Sequence, residues 1–194
     1  YALFRNYPMK ETADFIEING SDIFVVQYIP GNVIGRILFC APLFEERKTS
    51  HRTMVDMARL LCSFGFHAVR FDYRGCGDSE GNFDDFSAAD WISDIAAVYG
   101  FMKNTKHTVP SGILGLRLGS TLAFNTESVM KDVSFAIGWE TVVDGKRHIT
   151  GELRKKLVKE MMTAGAIRSS RDKLINELEN GNAIDFDGYP VSAA

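Results

Sequence analysis

The sequence predicts an α/β protein with a mostly parallel sheet flanked by helices, followed by a helical segment. From Arg36 onward, seven segments alternate between strand-like and helix-like patterns, which is typical of a parallel sheet covered by helices. The composition, 45% hydrophobic and 24% charged over 194 residues, is that of a globular protein. An alternating apolar pattern on either side of Asn19-Gly20 adds an antiparallel hairpin in front of these elements.

The first half of the chain supplies a hairpin, a buried strand and a helix. The hairpin strands are expected over 12–19 and 22–28, and the run Arg36–Cys40 predicts a strand buried on both faces. Apolar residues at helical spacing predict a helix over 52–64, and Gly65 stands where such a helix ends.

The second half continues the same alternation. A strand over 67–71 leads into a glycine-rich loop, and Ser87 is expected to cap a helix over 88–103. A strand over 112–116, a helix through about residue 129 and a strand over 135–139 follow.

After Trp139 the alternation of strands and helices gives way to charged amphipathic patterns. We therefore predict two domains, a core over 1–139 and a helical cap or lid over 140–194. Amphipathic patterns predict helices over 151–163 and 171–180, and a loop over 185–190. No further buried strand is visible, so the sheet is expected to be truncated in this chain.

Charge and composition exclude several functional classes. The net charge of −3 favours neither nucleic acid nor an anionic membrane as a partner. No apolar run approaches the roughly 20 residues of a membrane span, so we predict no membrane insertion. Three cysteines without metal-ligand spacing predict unpaired thiols, no metal site and a cytoplasmic location. We expect no cofactor, and the sequence leaves a homo-oligomer open.

Three segments carry a family resemblance. Cys40-Ala-Pro-Leu-Phe-Glu-Glu46 runs from a strand into a helix, and Phe71-Asp-Tyr-Arg-Gly-Cys-Gly-Asp-Ser79 follows the next strand. Gly115-Leu-Arg-Leu-Gly119 stands between a strand and a helix. Together they resemble the α/β-hydrolase superfamily, whose nucleophile elbow is G-x-S-x-G. With the segment from Trp139 to Arg147, they are most similar to bacterial hydrolases associated with exosortase A systems, relatives of serine aminopeptidase-like enzymes.

The resemblance places Arg117 where the family has its nucleophilic serine. A guanidinium stays protonated and cannot attack a carbonyl group. The resemblance further implies backbone oxyanion donors at Leu118 and at Leu43 or Phe44. Arg117, Phe44 and Glu45 are therefore the candidate ligand-binding residues. Two roles for Arg117 stay open: it anchors an anion, or it braces loops by pairing with an acidic residue, for which the candidates are Glu45, Glu46 and Asp78.

Substitute catalytic groups are few. Ser120, Ser79 and Cys76 are near the expected crevice, but we interpret all three as structural. Glu140 and His148 follow the elbow in the order of the family's acid and base, and a surface or cap role is favoured for both. His51, His67 and His107 precede the elbow and do not match the position of the base.

Two functions follow from the resemblance. The first is hydrolysis of an ester, thioester or amide through a non-standard elbow. The alternative is a non-catalytic pseudo-hydrolase that binds a small anionic or acyl ligand near Arg117. A scaffold protein without a pocket ligand ranks last, because no interaction motif is present.

Overall fold

The computed structural model describes residues 9–105, 108–164 and 169–192. A six-stranded sheet has the order β1-β2-β4-β3-β5-β6, and two further strands form a separate pair. The strands are β1 (Met9–Ile18), β2 (Ser21–Pro30), β3 (Gly35–Cys40), β4 (Phe66–Phe71), β5 (Ser111–Leu116), β6 (Phe135–Trp139), β7 (Ile184–Asp185) and β8 (Pro190–Val191). The helices are α1 (Phe44–Ser63), α2 (Ala88–Lys103), α3 (Leu118–Phe124), α4 (Glu127–Met130), α5 (Gly145–Ala164) and α6 (Arg171–Glu179).

The predicted hairpin is confirmed. Strands β1 and β2 pair antiparallel from Met9 opposite Pro30 to Ile18 opposite Ser21. Asn19 and Gly20 form the two-residue turn with φ of 53° and 79°. Positive φ at both central residues matches the twist of the flanking strands, which is why Asn-Gly suits this turn.

The predicted parallel sheet is also confirmed. Strand β3 pairs parallel with β4 on one side and with β5 on the other, and β5 pairs parallel with β6. Every residue of β3 and β5 is buried, so both strands read as continuous apolar runs. The carboxyl ends of these four strands therefore lie along the same edge of the sheet.

The predicted helices differ from the structure in their limits. Helix α2 has the predicted bounds, and the Ser87 hydroxyl accepts a hydrogen bond from the Asp90 backbone N–H. Helix α1 begins eight residues before the prediction, because its first two turns are charged and lack an apolar period. The single helix predicted through residue 129 is wrong. The chain leaves the helical conformation at Thr126, whose hydroxyl donates to the carbonyl oxygen of Leu122 instead.

The chain forms two compact units, Tyr1–Thr141 and Val142–Ala194. In the second, α5 and α6 pack with the β7–β8 pair around a small apolar core of Leu153, Leu174, Leu178, Ile184 and Phe186. Helix α5 begins six residues before the prediction, and two-residue strands flank the turn predicted as a loop. The boundary at 139/140 and the cap role stay predictions. None of the described helices has the length and apolarity of a membrane span.

Candidate functional site

Strained backbone marks the carboxyl edge of the sheet. Phe44, Arg117 and Glu140 have φ of 58°, 54° and 49°, a region that side chains disfavour. They follow the carboxyl ends of β3, β5 and β6, which are adjacent parallel strands. The three strained residues therefore lie at the same edge of the sheet. Residues held in such conformations cluster at functional sites, where the surrounding structure maintains them. This edge is therefore the candidate site.

The turn that carries Arg117 joins β5 directly to α3. Arg117 has φ 54° and ψ −123°, and its N–H donates to the carbonyl oxygen of Trp139 at 2.9 Å. A Cβ on Gly115 would lie 2.3 Å from the Ser120 Cα, and one on Gly119 would lie 2.1 Å from the Ala41 carbonyl oxygen. Only glycine fits at both positions, because the start of α3 is packed directly on the backbone. The turn is thus fixed from both sides.

Glu46 is the acidic partner of Arg117. The Arg117 Nε lies 3.1 and 3.2 Å from the two carboxylate oxygens of Glu46, and its Nη2 lies 3.0 Å from Oε1. Glu140 is 4.0 Å from Nη1 and mostly exposed. Of the carboxylates considered from the sequence, Glu45 instead pairs with Lys48 at 3.3 Å on the outer side of α1. The Arg117 side chain remains 31% exposed, so solvent still reaches it.

The predicted backbone donors are placed at the same edge. Leu43 is the N-cap of α1, and Phe44 is its first residue. Leu118 is the first residue of α3. The first N–H groups of a helix have no acceptor within the helix, so these positions offer donors to other groups. The Phe44 side chain is buried and packs on the Phe83 ring at 5.8 Å, so only its backbone is suited to contact a ligand.

The nearby hydroxyl and thiol groups are engaged or buried. Ser120 is fully buried, and its Oγ lies 2.7 Å from the Thr141 Oγ1. The Ser79 hydroxyl donates to the Asp72 carbonyl oxygen at 2.6 Å and accepts from a backbone N–H. Burial raises the pKa of the Cys76 thiol to about 12, so it stays protonated at neutral pH. None of the three is a ready nucleophile.

The two described histidines of the first unit bond to other groups, His67 to Gln27 and His51 to Arg70. His67 is buried in β4 and His51 lies on α1. Glu140 belongs to the first unit and the buried His148 to the second, so their pairing stays a prediction. His107 lies outside the described residues.

A buried ion pair that the sequence analysis missed holds the glycine-rich loop. Asp94 of α2 accepts from the Arg74 backbone N–H at 3.0 Å and from its Nε at 2.7 Å. The Trp91 indole N–H donates to the Arg74 carbonyl oxygen at 3.0 Å. On the other side of the loop, Asp72 pairs with Arg47, the neighbour of Glu46, at 2.5 Å. The arginine of the F-D-x-R-G pattern was the one signal available for this contact.

Comparisons with known proteins place these features in context. No protein-family model matches the chain. It is 32% identical over 124 residues to the lysophosphatidylserine lipase ABHD12 of Gallus gallus, a match covering 64% of this chain and 28% of that protein. The protein of the same name from Danio rerio is 39% identical over 101 residues, covering 52% and 22%. The matched part of the chain thus spans less than a third of these relatives.

Solved structures share the arrangement of strands and helices. A serine hydrolase without a lid from Xanthomonas campestris superposes with a TM-score of 0.57 at 22% identity, covering 68% of this chain and 62% of that one. The thioesterase domain from the curacin biosynthetic pathway superposes with a TM-score of 0.56 at 17% identity, covering 78% and 53%. At these identities the likeness shows the fold.

Proposed function

We propose that this protein binds an acyl ligand at the carboxyl edge of its sheet. The chain has the α/β-hydrolase fold, and its relatives support membership of that superfamily. The ligand class is a carboxylic ester, thioester or amide, or the carboxylate derived from one. Arg117 anchors the ligand and does not attack it. The observation that carries the proposal is the backbone of Arg117, held at φ 54° and ψ −123° between two glycines that have no room for a side chain.

That backbone corresponds to the raised position of G-x-S-x-G, where the family has its serine. Serine attacks because an adjacent base removes its proton, whereas a guanidinium has no lone pair available for attack at neutral pH. A planar, always charged guanidinium is instead well suited to bind a carboxylate through two parallel hydrogen bonds. The N–H groups that begin α1 and α3 at this edge suit the same oxyanion.

The pairing of Arg117 with Glu46 provides a test of whether Arg117 anchors a ligand. Glu46 meets the guanidinium through two of its nitrogens, as a ligand carboxylate would. A ligand must therefore displace Glu46 or share Arg117 with it. Removing the Glu46 charge should raise the affinity for an anionic ligand if Arg117 is an anchor, and should leave it unchanged if Arg117 only braces the loops.

Hydrolysis is the second candidate, because the curated relatives are named as lipases and the match to one of them reaches 39% identity. Catalysis would need a nucleophile other than Arg117, and Ser120, Ser79 and Cys76 are engaged or protonated. This candidate therefore predicts a reactive residue elsewhere in the full-length protein.

A single set of measurements on the full-length protein separates the two candidates. We expect no labelling by a fluorophosphonate probe and no turnover of p-nitrophenyl esters. Octanoate binding, measured by calorimetry, should weaken about tenfold in Arg117→Ala and strengthen in Glu46→Gln. Glu45→Gln is the matched control, since it removes the same charge from the adjacent residue, which pairs with Lys48. Ester turnover, or equal behaviour of the two glutamate variants, contradicts the anchor.

We further propose that the protein belongs with the hydrolases associated with bacterial exosortase A systems. The G-C-G-D-S and G-L-R-L-G stretches support this subgroup, while the relatives reported above are vertebrate proteins. We also propose that the protein is cytoplasmic and does not insert into the membrane. Whether it is a monomer or a homo-oligomer is left open. Cell fractionation and light scattering of the full-length protein test them. The proposed binding uses side chains and backbone donors alone, without a cofactor or metal.

A further inference from the structure

A second concave surface lies on the part of the sheet formed by β1, β2 and β4, whereas Arg117 follows β5. It is a groove of about 660 Å³, lined by α1 and by β1, β2 and β4. Its volume is within the range of small-molecule sites. Across its floor, Ala13 of β1 pairs with Val26 of β2, and Val26 pairs with Arg70 of β4, so these three side chains lie side by side.

One face of α1 forms the wall of this groove. Arg47, His51, Val55 and Arg59 recur every four residues and therefore line a single side of the helix. The groove thus combines a floor of apolar side chains and Arg70 with a wall that carries two guanidinium groups and an imidazole. Asp72 and Asp78 also line it.

The charges in the groove are unevenly matched. Arg47 pairs with Asp72 at 2.5 Å, and Arg59 makes two hydrogen bonds of 3.0 Å to Glu11. Arg70 differs from both. Its Nη1 donates to the Tyr28 hydroxyl at 3.1 Å, and among the described residues no carboxylate lies within ion-pair distance of it. Arg70 is therefore a half-buried cation whose hydrogen-bond partners are a phenol and an imidazole and not a carboxylate.

His51 faces this cation. The Arg70 Nη2 lies 3.4 Å from the His51 Nδ1, and the imidazole accepts from the guanidinium when that nitrogen is unprotonated. Burial lowers the pKa of His51, and Arg70 and Arg47 lower it further, against the opposing effect of Asp72 and Asp78. His51 is thus neutral at pH 7 and would gain a proton more readily beside a bound anion.

We propose that this groove binds an amphipathic oxyanion, a carboxylate or phosphate head group with an unbranched apolar chain. The head group binds Arg70 and His51, and the chain lies on Ala13, Val26 and Phe24 and against Val55. An arginine without a carboxylate partner supplies two directed donors for such a head group, and the neighbouring apolar side chains exclude water from the chain. The groove lining includes neither Arg117, Glu46 nor the backbone donors proposed above, so the site does not depend on that function.

Calorimetric titration of the full-length protein with decyl phosphate and with decanoate, both below micelle-forming concentrations, tests the site. We expect saturable binding of at least one of them, and a loss of about tenfold or more in Arg70→Met. Arg52→Met is the matched control, because Arg52 at the rim pairs with Asp56 and its loss changes the net charge equally. It should change the affinity by less than about twofold.

Further readouts separate binding from folding and from the other site. Arg70→Lys keeps the charge and should retain part of the affinity, which guards against a fold defect in Arg70→Met. The titrations use an Arg117→Ala background, which removes the carboxylate anchor proposed above, so that the binding measured is that of the groove alone. In NMR titrations, the ligand should raise the pKa of His51. Absence of saturable binding in the Arg117→Ala background, or equal losses from Arg70→Met and Arg52→Met in that background, would overturn the proposal.

Discussion

Replacing Asp94 with alanine should destabilise the first unit by about 3 kcal/mol. Asp94 is fully buried and accepts two hydrogen bonds from Arg74, whose side chain is only 8% exposed. Removing one partner of a buried ion pair typically costs about 3–5 kcal/mol, because the other charge is left without compensation. The Asp90 carboxylate, 3.8 Å from Arg74, offsets part of that cost, so the lower end of the range applies.

Urea unfolding followed by tryptophan fluorescence measures this loss. The Trp91 indole donates to the Arg74 carbonyl oxygen, so it reports directly on the loop. A Trp139→Phe background removes the only other tryptophan. The double variant Asp94→Leu with Arg74→Met should recover part of the stability, since an apolar pair replaces the buried ionic side chains at little cost while the Arg74 backbone N–H still loses its acceptor. Losses in Asp94→Leu and in Arg74→Met that add up to the loss in the double variant would refute the reasoning.

Three further predictions concern His67, Gly119 and Arg117 of the first unit. Burial and the charge of Arg36 lower the pKa of His67 from 6.5 to about 4. As the pH falls, the unfolded chain is therefore protonated at a higher pH than the folded chain. Stability should therefore fall by up to about 3 kcal/mol between pH 6.5 and 4, and His67→Gln should flatten this dependence in urea unfolding. Gly119→Ala should cost about 1–3 kcal/mol in thermal unfolding, because its Cβ has no room, whereas Gly100→Ala in α2, where a Cβ meets no atom, should not destabilise. Arg117→Gly should be more stable than Arg117→Ala, since only glycine is relaxed at that φ and ψ; the opposite order would exclude strain.

The sheet could be predicted from the sequence because its strands are buried on both faces. Strands β3 and β5 are apolar at nearly every position, and such runs between helical periods have few other interpretations. The start of α1 could not be predicted in this way. Its first eight residues are mostly charged or polar and face a crowded loop edge, so tertiary contacts, and not an apolar period, make them helical.

The unpredicted start of α1 explains why the sequence could not decide which acidic residue pairs with Arg117. With α1 expected from residue 52, Glu45 and Glu46 were equivalent loop residues. Because α1 begins at Phe44, its first turn fixes their directions, and only Glu46 is turned towards Arg117. The contact between Arg74 and Asp94 was missed for a related reason. The two residues are 20 positions apart on different elements, and no local period connects them.

The backbone of Arg117 bears on the choice between an anchor and a brace. Its φ and ψ cost on the order of 1–3 kcal/mol for a residue with a side chain, and glycine would avoid that cost. A partly exposed ion pair such as the one with Glu46 offsets about 1 kcal/mol or less. The ion pair with Glu46 alone therefore does not offset the strain of the Arg117 backbone. An arginine that keeps nearly a third of its side chain accessible, beside the N–H groups that begin two helices, has the arrangement that binding an oxyanion requires.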